Sequence, residues 1–328
     1  MTDSVRRLTS RDIAHRAGVS QTTVSLVLRG VAAGRVSPEL QEHVREVARE
    51  LGYLPSMSAR SLRSGRAHML GLVIPDVLDP FFGAVLRGAQ DAASQRGYTA
   101  AMIEATSPAV TAEAVAATEA GRFDGIVLHS PDRRELRRAR AIADRVCVVD
   151  SGAPRGVSWI RYDLAQGVRL TIEHLEVLGH RRVAHLAADS GKATFAERAK
   201  ELERVAGGRL VATARAAFEL DADGAELERF LRRRHRATAL VCDTDTLAAK
   251  ALRAARAVGV AVPQELSVTA FNDTPLARAL DLTTVSIPAA EAGRLGVAAL
   301  LDRIDGAPPA RRTLPVALVA RASSASVT

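Results

Sequence analysis

The sequence predicts an all-α helix-turn-helix headpiece followed by an α/β body built on parallel sheets, and three observations carry that prediction. Two short capped helices meet at a glycine near the N-terminus. From His68 onward, apolar strand-like runs alternate with amphipathic helical stretches, a β-then-α rhythm that demands parallel strands with right-handed crossovers. At 328 residues the chain is too long for one typical domain and long enough for two or three units, each with its own core.

The first helix announces itself at Thr9, with Asp12 three residues on completing an [ST]-x-x-[DE] start signal, so Thr9 is expected to cap the following backbone amides. Ile13 and Ala17 share one face. Gly18 suits a left-handed helix stop, Val19 reads as a buried pivot, and Ser20 is a fresh N-cap, a turn short enough to force a sharp corner. In the second helix Val24, Val27 and Leu28 face inward, which leaves Gln21, Thr22, Ser25 and Arg29 outside. Short polar side chains in that first turn are what such motifs present to base edges, although the spacing alone fits an ordinary helical hairpin equally well. Ser37-Pro38 opens a third helix with Leu40, Val44, Val47 and Leu51 on one stripe, and Gly52 closes it.

Composition agrees with a soluble globular chain: 47% hydrophobic, 25% charged and only 3% aromatic. The net charge of +8 is unevenly placed, because residues 1–66 hold eleven Arg against six acidic residues while the other 262 carry 34 basic against 31 acidic. A basic head on a nearly neutral body is the electrostatic footprint of nucleic-acid binding, and an Arg-rich solvated surface is its bland counterpart. The N-terminus lacks an apolar h-region and no run of about 18 apolar residues occurs, so a cytoplasmic protein is expected. Cys147 and Cys242 sit in apolar strand-like runs without C-x-x-C spacing and read as buried free thiols.

Along the body, the strand-like runs are MLGLVI, TAAMI, GIVLH, VCVV, RVAHLA, ALVC and LSVTAF. No P-loop, G-x-S-x-G or G-x-G-x-x-G is present, and His129, His174, His180, His185 and His235 lack metal-ligand spacing and read as surface or structural residues. No catalytic residue, cofactor or metal is expected. The informative polar residues lie just beyond strand ends, where open parallel sheets bind ligands: Asp79, Phe81, Phe82 and Ser130, then Arg198, Thr244, Asp245, Asn272 and Asp273. Asp79 reads equally as a helix cap, and at least one of the two Phe rings reads as core.

The stretches DIAHRAGVSQTTVSLVLRG and VSPELQEHVREVARELGYLPSMSARSLRSGR, then IPDVLDPFF, EHLEVLGHRRVAHL, DTDTLAAKAL, FNDTPLA and LTTVSIP, follow one another in an order that resembles the lactose-repressor (LacI/GalR-type) family of bacterial transcriptional regulators. The resemblance spans the whole chain. It implies a headpiece over residues 1–55, a hinge over 56–67, and a two-lobed, periplasmic-binding-protein-like body. Its first lobe would hold 68–160 with 288–309 and its second 161–287 with 310–328, with crossings near Trp159–Arg161, Ser286–Pro288 and Ala307–Arg311. It further implies operator contacts from Thr9, Ser20, Gln21, Thr22, Ser25, Leu26 and Arg29, and from Ala59 and Leu62 in the hinge, where Leu62 matches a minor-groove wedge. The hinge, one or two turns long, is below the roughly 12–15 residues at which a helix is even marginal alone.

Effector contacts are implied at Asp79, Phe81, Phe82, Ser130, Arg198, Thr244 and Asn272, a guanidinium and short polar groups suited to sugar hydroxyls. Several positions depart from the family pattern: Leu26 where Arg is common, Asp79 and Thr244 where Asn is common, and Asn272 where Asp often binds a sugar. The tail RASSASVT has no apolar heptad, so a homodimer rather than a coiled-coil tetramer is expected. The expected function is a repressor released from a palindromic operator by a small molecule, with a carbohydrate first. The alternatives are a corepressor-dependent regulator, with a purine or other metabolite, and a sugar-binding protein without a DNA role.

Overall fold

The computed structural model describes residues 8–28, 32–52, 65–218, 224–233 and 237–327. The chain divides into two compact units, Met1–Ala67 and His68–Thr328. In the first, α1 (Ser10–Arg16), α2 (Gln21–Leu28) and α3 (Pro38–Glu50) enclose a core of Ile13, Ala14, Ala17, Val24, Val27, Ala32, Val44, Val47 and Ala48. Gly18 takes φ +64°, the left-handed conformation that ends α1 and that only glycine adopts without strain. Val19 is only half-buried against this core rather than a fully buried pivot. The Gln41 amide donates to the Val36 carbonyl at 2.9 Å and so ties the approach to α3 onto the helix itself.

The second unit alternates strand and helix as the pattern requires: β1 (Met69–Ile74), α4 (Pro80–Gln95), β2 (Thr99–Glu104), α5 (Pro108–Glu119), β3 (Gly125–His129), α6 (Arg133–Ala139), β4 (Val146–Val149) and β5 (Ser158–Tyr162). There follow α7 (Leu164–Val177), β6 (Val183–Ala188), α8 (Ala193–Ala206), β7 (Leu210–Ala216), α9 (Gly224–Arg233), β8 (Ala239–Cys242), α10 (Asp245–Ala257) and β9 (Ser267–Asn272). The chain ends in α11 (Pro275–Ala279), β10 (Thr283–Ser286), α12 (Ala289–Ile304), β11 (Arg311–Leu314) and β12 (Ala317–Val319). Two six-stranded sheets result, ordered β11-β5-β4-β3-β1-β2 and β12-β10-β9-β8-β6-β7. Among the described residues all pairings are parallel except β10 with β12.

This pairing moves two of the three expected crossings. β5 runs to Tyr162 in the first sheet, so the chain leaves that lobe at Asp163 rather than at Trp159–Arg161. The third crossing lies between Leu314 and Ala317, because Arg311–Leu314, expected in the second lobe, pairs beside β5 in the first. An edge strand reading Arg-Arg-Thr-Leu buries only its leucine, so nothing in its hydropathy marks it as a strand. The second crossing follows Ser286, where β10 ends before α12 returns to the first lobe.

Helices α4 and α12 cross on glycine. A Cβ on Gly88 would stand 1.8 Å from the Ala290 carbonyl oxygen, and one on Gly293 would stand 2.0 Å from that of Val85, so the two backbones touch where a side chain would separate them. Cys147 and Cys242 are free and fully buried, and burial pushes the Cys147 thiol up to about 12, which keeps it protonated and inert.

Candidate functional site

On the headpiece, Thr9, Ser20, Gln21 and Thr22 are exposed and Ser25 is half-buried. Ser20 caps α2, accepting from the Thr23 backbone N–H at 3.0 Å, and the Gln21 amide donates to Ser10 Oγ at 2.8 Å, which holds the first turn of α2 against the start of α1. At Thr9 the expected capping box with Asp12 forms, and the Thr9 backbone N–H and hydroxyl both donate to Asp12 Oδ2 at 2.7 Å. Leu26 is half-buried against the headpiece core, so its side chain is divided between packing and surface. Arg29, Ala59 and Leu62 lie outside the described residues.

In the body, a cleft opens where the strands of both sheets end. The space between its walls, open mouth included, is about 580 Å³. All seven sequence-expected residues line it: Asp79, Phe81, Phe82, Ser130, Arg198, Thr244 and Asn272. Ser130, Asp150 and Asn272, just past β3 and β4 and at the end of β9, hold φ of +48°, +65° and +116°. Non-glycine residues in such conformations cost roughly 1–3 kcal/mol each and cluster where a structure aims side chains at a ligand.

The first lobe supplies an aromatic wall. Phe82 meets His129 edge-to-face with centroids 4.9 Å apart, and Phe81 meets His129 at 5.7 Å and Tyr162 at 6.1 Å. Both Phe rings are 7% exposed, so each belongs to the core and to the cleft at once. Asp79 also has both roles, capping α4 through the Phe81 N–H at 2.9 Å while its carboxyl lines the cleft, and burial raises its pKa. Behind the rings, Ser130 Oγ donates to Asp150 Oδ2 at 2.5 Å, and burial pushes the Asp150 carboxyl up to about 6.

The second lobe supplies a charged wall built around Arg198, on α8. Its guanidinium lies 4.2 Å from the Phe271 ring centroid and 5.5 Å from that of Phe195, and it donates to the Asp243 backbone carbonyl. The Asp243 carboxylate accepts from the Ala188 N–H at 2.8 Å and meets His185 Nε2 at 3.2 Å. Burial alone would raise the Asp243 carboxyl, but His185 and Arg198 hold it below its ordinary value. Thr244 is 2% exposed and caps α10 through the Leu247 N–H. Asp245 points away from the cleft to Thr274 and Thr284, and Asp273 turns to Arg321. Among the described residues, two polar side-chain contacts span the lobes, both from the start of α8: Lys192 Nζ lies 3.6 Å from Glu135 Oε2, and Thr194 Oγ1 donates to Asp150 Oδ1 at 3.4 Å.

Sequence reasoning missed His129, Asp150, Tyr162, Lys192, Thr194, Phe195 and Phe218 among the lining residues. The strand-end rule that found Ser130 would also have found Asp150, directly after VCVV. His129, read as a surface or structural residue, is 5% exposed and faces the cleft, because β3 ends under the rings of α4; His185 is buried beside Asp243. His235 is outside the described residues. A second signal lay in composition: the chain has eleven Phe, Tyr and Trp residues, and five of them line this one cleft.

A capped reading helix on a small headpiece, and a separate two-lobed body with a walled cleft at its strand ends, together define a DNA-binding transcriptional regulator with a ligand-binding body. Residues 9–56 match the bacterial regulatory proteins of the lacI family, and residues 172–324 match the periplasmic binding protein-like domain. The ribose operon repressor of Halalkalibacterium halodurans is 30% identical over 321 residues, covering 95% of this chain and 96% of that protein. Among solved structures, the lac repressor dimer bound to operator and an anti-inducer superposes with a TM-score of 0.85 at 24% identity, over 98% of this chain and 100% of that one. The transcriptional regulator CelR in complex with cellobiose gives 0.71 at 26% identity, over 97% and 100%. The chain belongs to the lacI family of bacterial regulatory proteins. Among the described residues, no helix is long and apolar enough to cross a membrane and no cluster of side chains has the makings of a metal site.

Proposed function

We propose that the protein is a cytoplasmic homodimeric repressor that binds a palindromic operator and releases it when a small uncharged polyol, a carbohydrate first, fills the cleft of the body. The observation that carries this reading is the division of the cleft into an aromatic wall and a wall of fixed polar groups. Rings cover the C–H face of a sugar while Arg198, Asn272 and Asp79 meet its hydroxyls. Both cationic groups of the cleft are already engaged, Arg198 with Asp243 and Lys192 with Glu135, which disfavours an anionic ligand. The relatives point the same way: one is named for a ribose operon, another was solved with cellobiose. Gln21 and Thr22 are assigned to base edges, and Thr9, Ser20, Ser25, Leu26, Arg29, Ala59 and Leu62 to the remaining DNA contacts.

The aromatic share of the lining favours one second reading, a base-bearing metabolite such as a nucleoside, acting as inducer or corepressor. Fluorescence anisotropy on DNA from the protein's own upstream region, with D-ribose, cellobiose or adenosine added, separates these. Loss of binding on adding a sugar supports the first reading, a gain marks a corepressor, and a response to adenosine alone supports the second. Failure to bind that DNA under any condition would sink the regulator's proposed site.

A further inference from the structure

Two polar atoms on the aromatic wall are buried without a hydrogen-bond partner: His129 Nε2 and Tyr162 Oη. The rings that carry them lie 6.4 Å apart, and both line the cleft. The other face of the imidazole is engaged, since His129 Nδ1 stands 3.0 Å from Ser130 Oγ, which itself donates to Asp150 Oδ2 at 2.5 Å. A hydroxyl has one proton to give. With that proton committed to the Asp150 carboxylate, Ser130 can only accept from the ring, so Nδ1 carries the imidazole proton and Nε2 is left as a bare lone pair. Burial, reinforced by Lys192, holds the His129 pKa down to about 3, so the ring stays neutral. A buried acceptor left unmet is costly, and a ligand that meets it recovers that cost on binding.

We propose that His129 is a specificity-determining residue of the cleft: the chain Asp150–Ser130–His129 fixes its imidazole as a hydrogen-bond acceptor, which selects an effector that places an O–H or N–H donor at Nε2. Tyr162 Oη, beside it, serves the same hydroxyl oxygen or its neighbour. The inference rests on the reading of the cleft as the effector site. It adds a rule of exclusion: a ligand presenting a carbonyl, an ether oxygen or a fluorine there would set acceptor against acceptor and be rejected, whatever its fit elsewhere.

The tautomer is testable without any ligand. Full-length protein labelled with ring-[15N]histidine is examined by long-range 1H–15N correlation, the His129 signals being those lost in His129→Gln. Protonated Nδ1 with unprotonated Nε2 between pH 7 and 8 is expected, with the Nε2–H form appearing in Ser130→Ala, where the chain is cut. An Nε2–H tautomer in the wild type overturns the assignment. In the second arm D-ribose, cellobiose and adenosine are titrated calorimetrically, followed by monodeoxyfluoro analogues of whichever binds, each of which exchanges one hydroxyl donor for an acceptor of similar size. One analogue is expected to bind the wild type about 10–100-fold more weakly than its parent, and this difference should collapse to about 2–3-fold in His129→Leu. Tyr162→Phe serves as a second variant that keeps the ring and should weaken the parent by about 3–30-fold. Equal binding of every analogue to the wild type overturns the proposal. If none of the three parent compounds binds, the effector classes named under the proposed function fall, and the tautomer alone decides whether His129 is set as an acceptor.

Discussion

The two walls of the cleft differ in charge and in what holds them. The second lobe's wall is charged and largely held from within: Arg198 stacks on Phe271, reaches the Asp243 carbonyl, and faces a carboxylate already held by His185 and the Ala188 N–H, while its Nε is buried without a partner. The first lobe's wall is uncharged at its surface of rings and leaves polar atoms of His129 and Tyr162 unmet. A buried charge with one partner removed is a liability of several kcal/mol, so the Arg198–Asp243 pairing is in place before any ligand arrives. A neutral wall carries a much smaller penalty for an open valence and can leave it for the ligand. Both walls thus hold an unmet donor or acceptor for a ligand, and the charged wall carries more of the body's stability.

The largest expected effect breaks the charged wall. Arg198→Ala leaves Asp243 and His185 buried without their cation and should destabilise the body by about 3–5 kcal/mol in urea unfolding, besides abolishing release of operator by effector. Arg198→Lys restores a charge without the planar fork and stack and should recover only part. A loss below about 1 kcal/mol for Arg198→Ala would show that the network is not the support described here.

Next in size is a pH dependence that reads both lobes. Asp150 and Asp245 are each raised by burial from an ordinary value of 3.8 to about 6. The folded state holds these protons more tightly than the unfolded chain, so the linked stability is fully present below about pH 4 and is lost as pH rises through 6. His129, lowered by burial from 6.5 to about 3, works the other way: its contribution is present above 6.5 and is lost as pH falls toward 3. Unfolding free energies compared with Asp150→Asn, Asp245→Asn and His129→Gln from pH 4.5 to 8 should separate the opposing signs. Each Asn variant should gain on the wild type as pH rises, by up to about 3 kcal/mol for a shift of some two units. A difference independent of pH would mean that the carboxyls titrate normally.

A smaller effect joins the two walls. Glu135 is locked by Thr111 Oγ1 at 2.6 Å and by the Asp132 N–H at 2.6 Å before Lys192 reaches it across the cleft. The Lys192 side chain is 21% exposed, so the pair should contribute only about 1 kcal/mol to closure. Glu135→Gln and Lys192→Met should widen the distance between dyes on the two lobes equally, and the double variant no further. If Lys192→Met alone acts, the lysine serves the ligand rather than the latch.

The smallest effect is on the neutral wall. Tyr162→Phe deletes a buried hydroxyl that has no partner and should change the stability of the free protein by less than about 1 kcal/mol, toward greater stability. A clear destabilisation would show that the hydroxyl is satisfied in solution, and the contrast between the walls would weaken.

Local order was legible in the residues themselves. Thr9 to Gly18, then Ser20 to Leu28, carry their own caps, stop and apolar stripe, and the alternation of MLGLVI, GIVLH and ALVC with amphipathic stretches announces parallel sheets, because helix and strand periods are properties of a short segment. Placing candidate ligand residues at strand ends follows from the same rhythm and picked out Asp79, Ser130, Thr244 and Asn272, while Arg198, within a helix, came from the family resemblance; all five line the cleft. What the residues did not show is anything settled by which strands become neighbours. Arg311–Leu314 has no strand pattern and is a strand only because β5 offers an open edge. His129 and Tyr162 are 33 positions apart in the sequence and share a wall because β3, β4 and β5 lie side by side in one sheet. The proton on His129 depends on Asp150, from the next strand, and the charge on Arg198 on Asp243, from another. Hydrogen-bond direction and burial are decided by partners that only the folded chain brings within 3 Å or so of each other, and no periodicity in a segment records them.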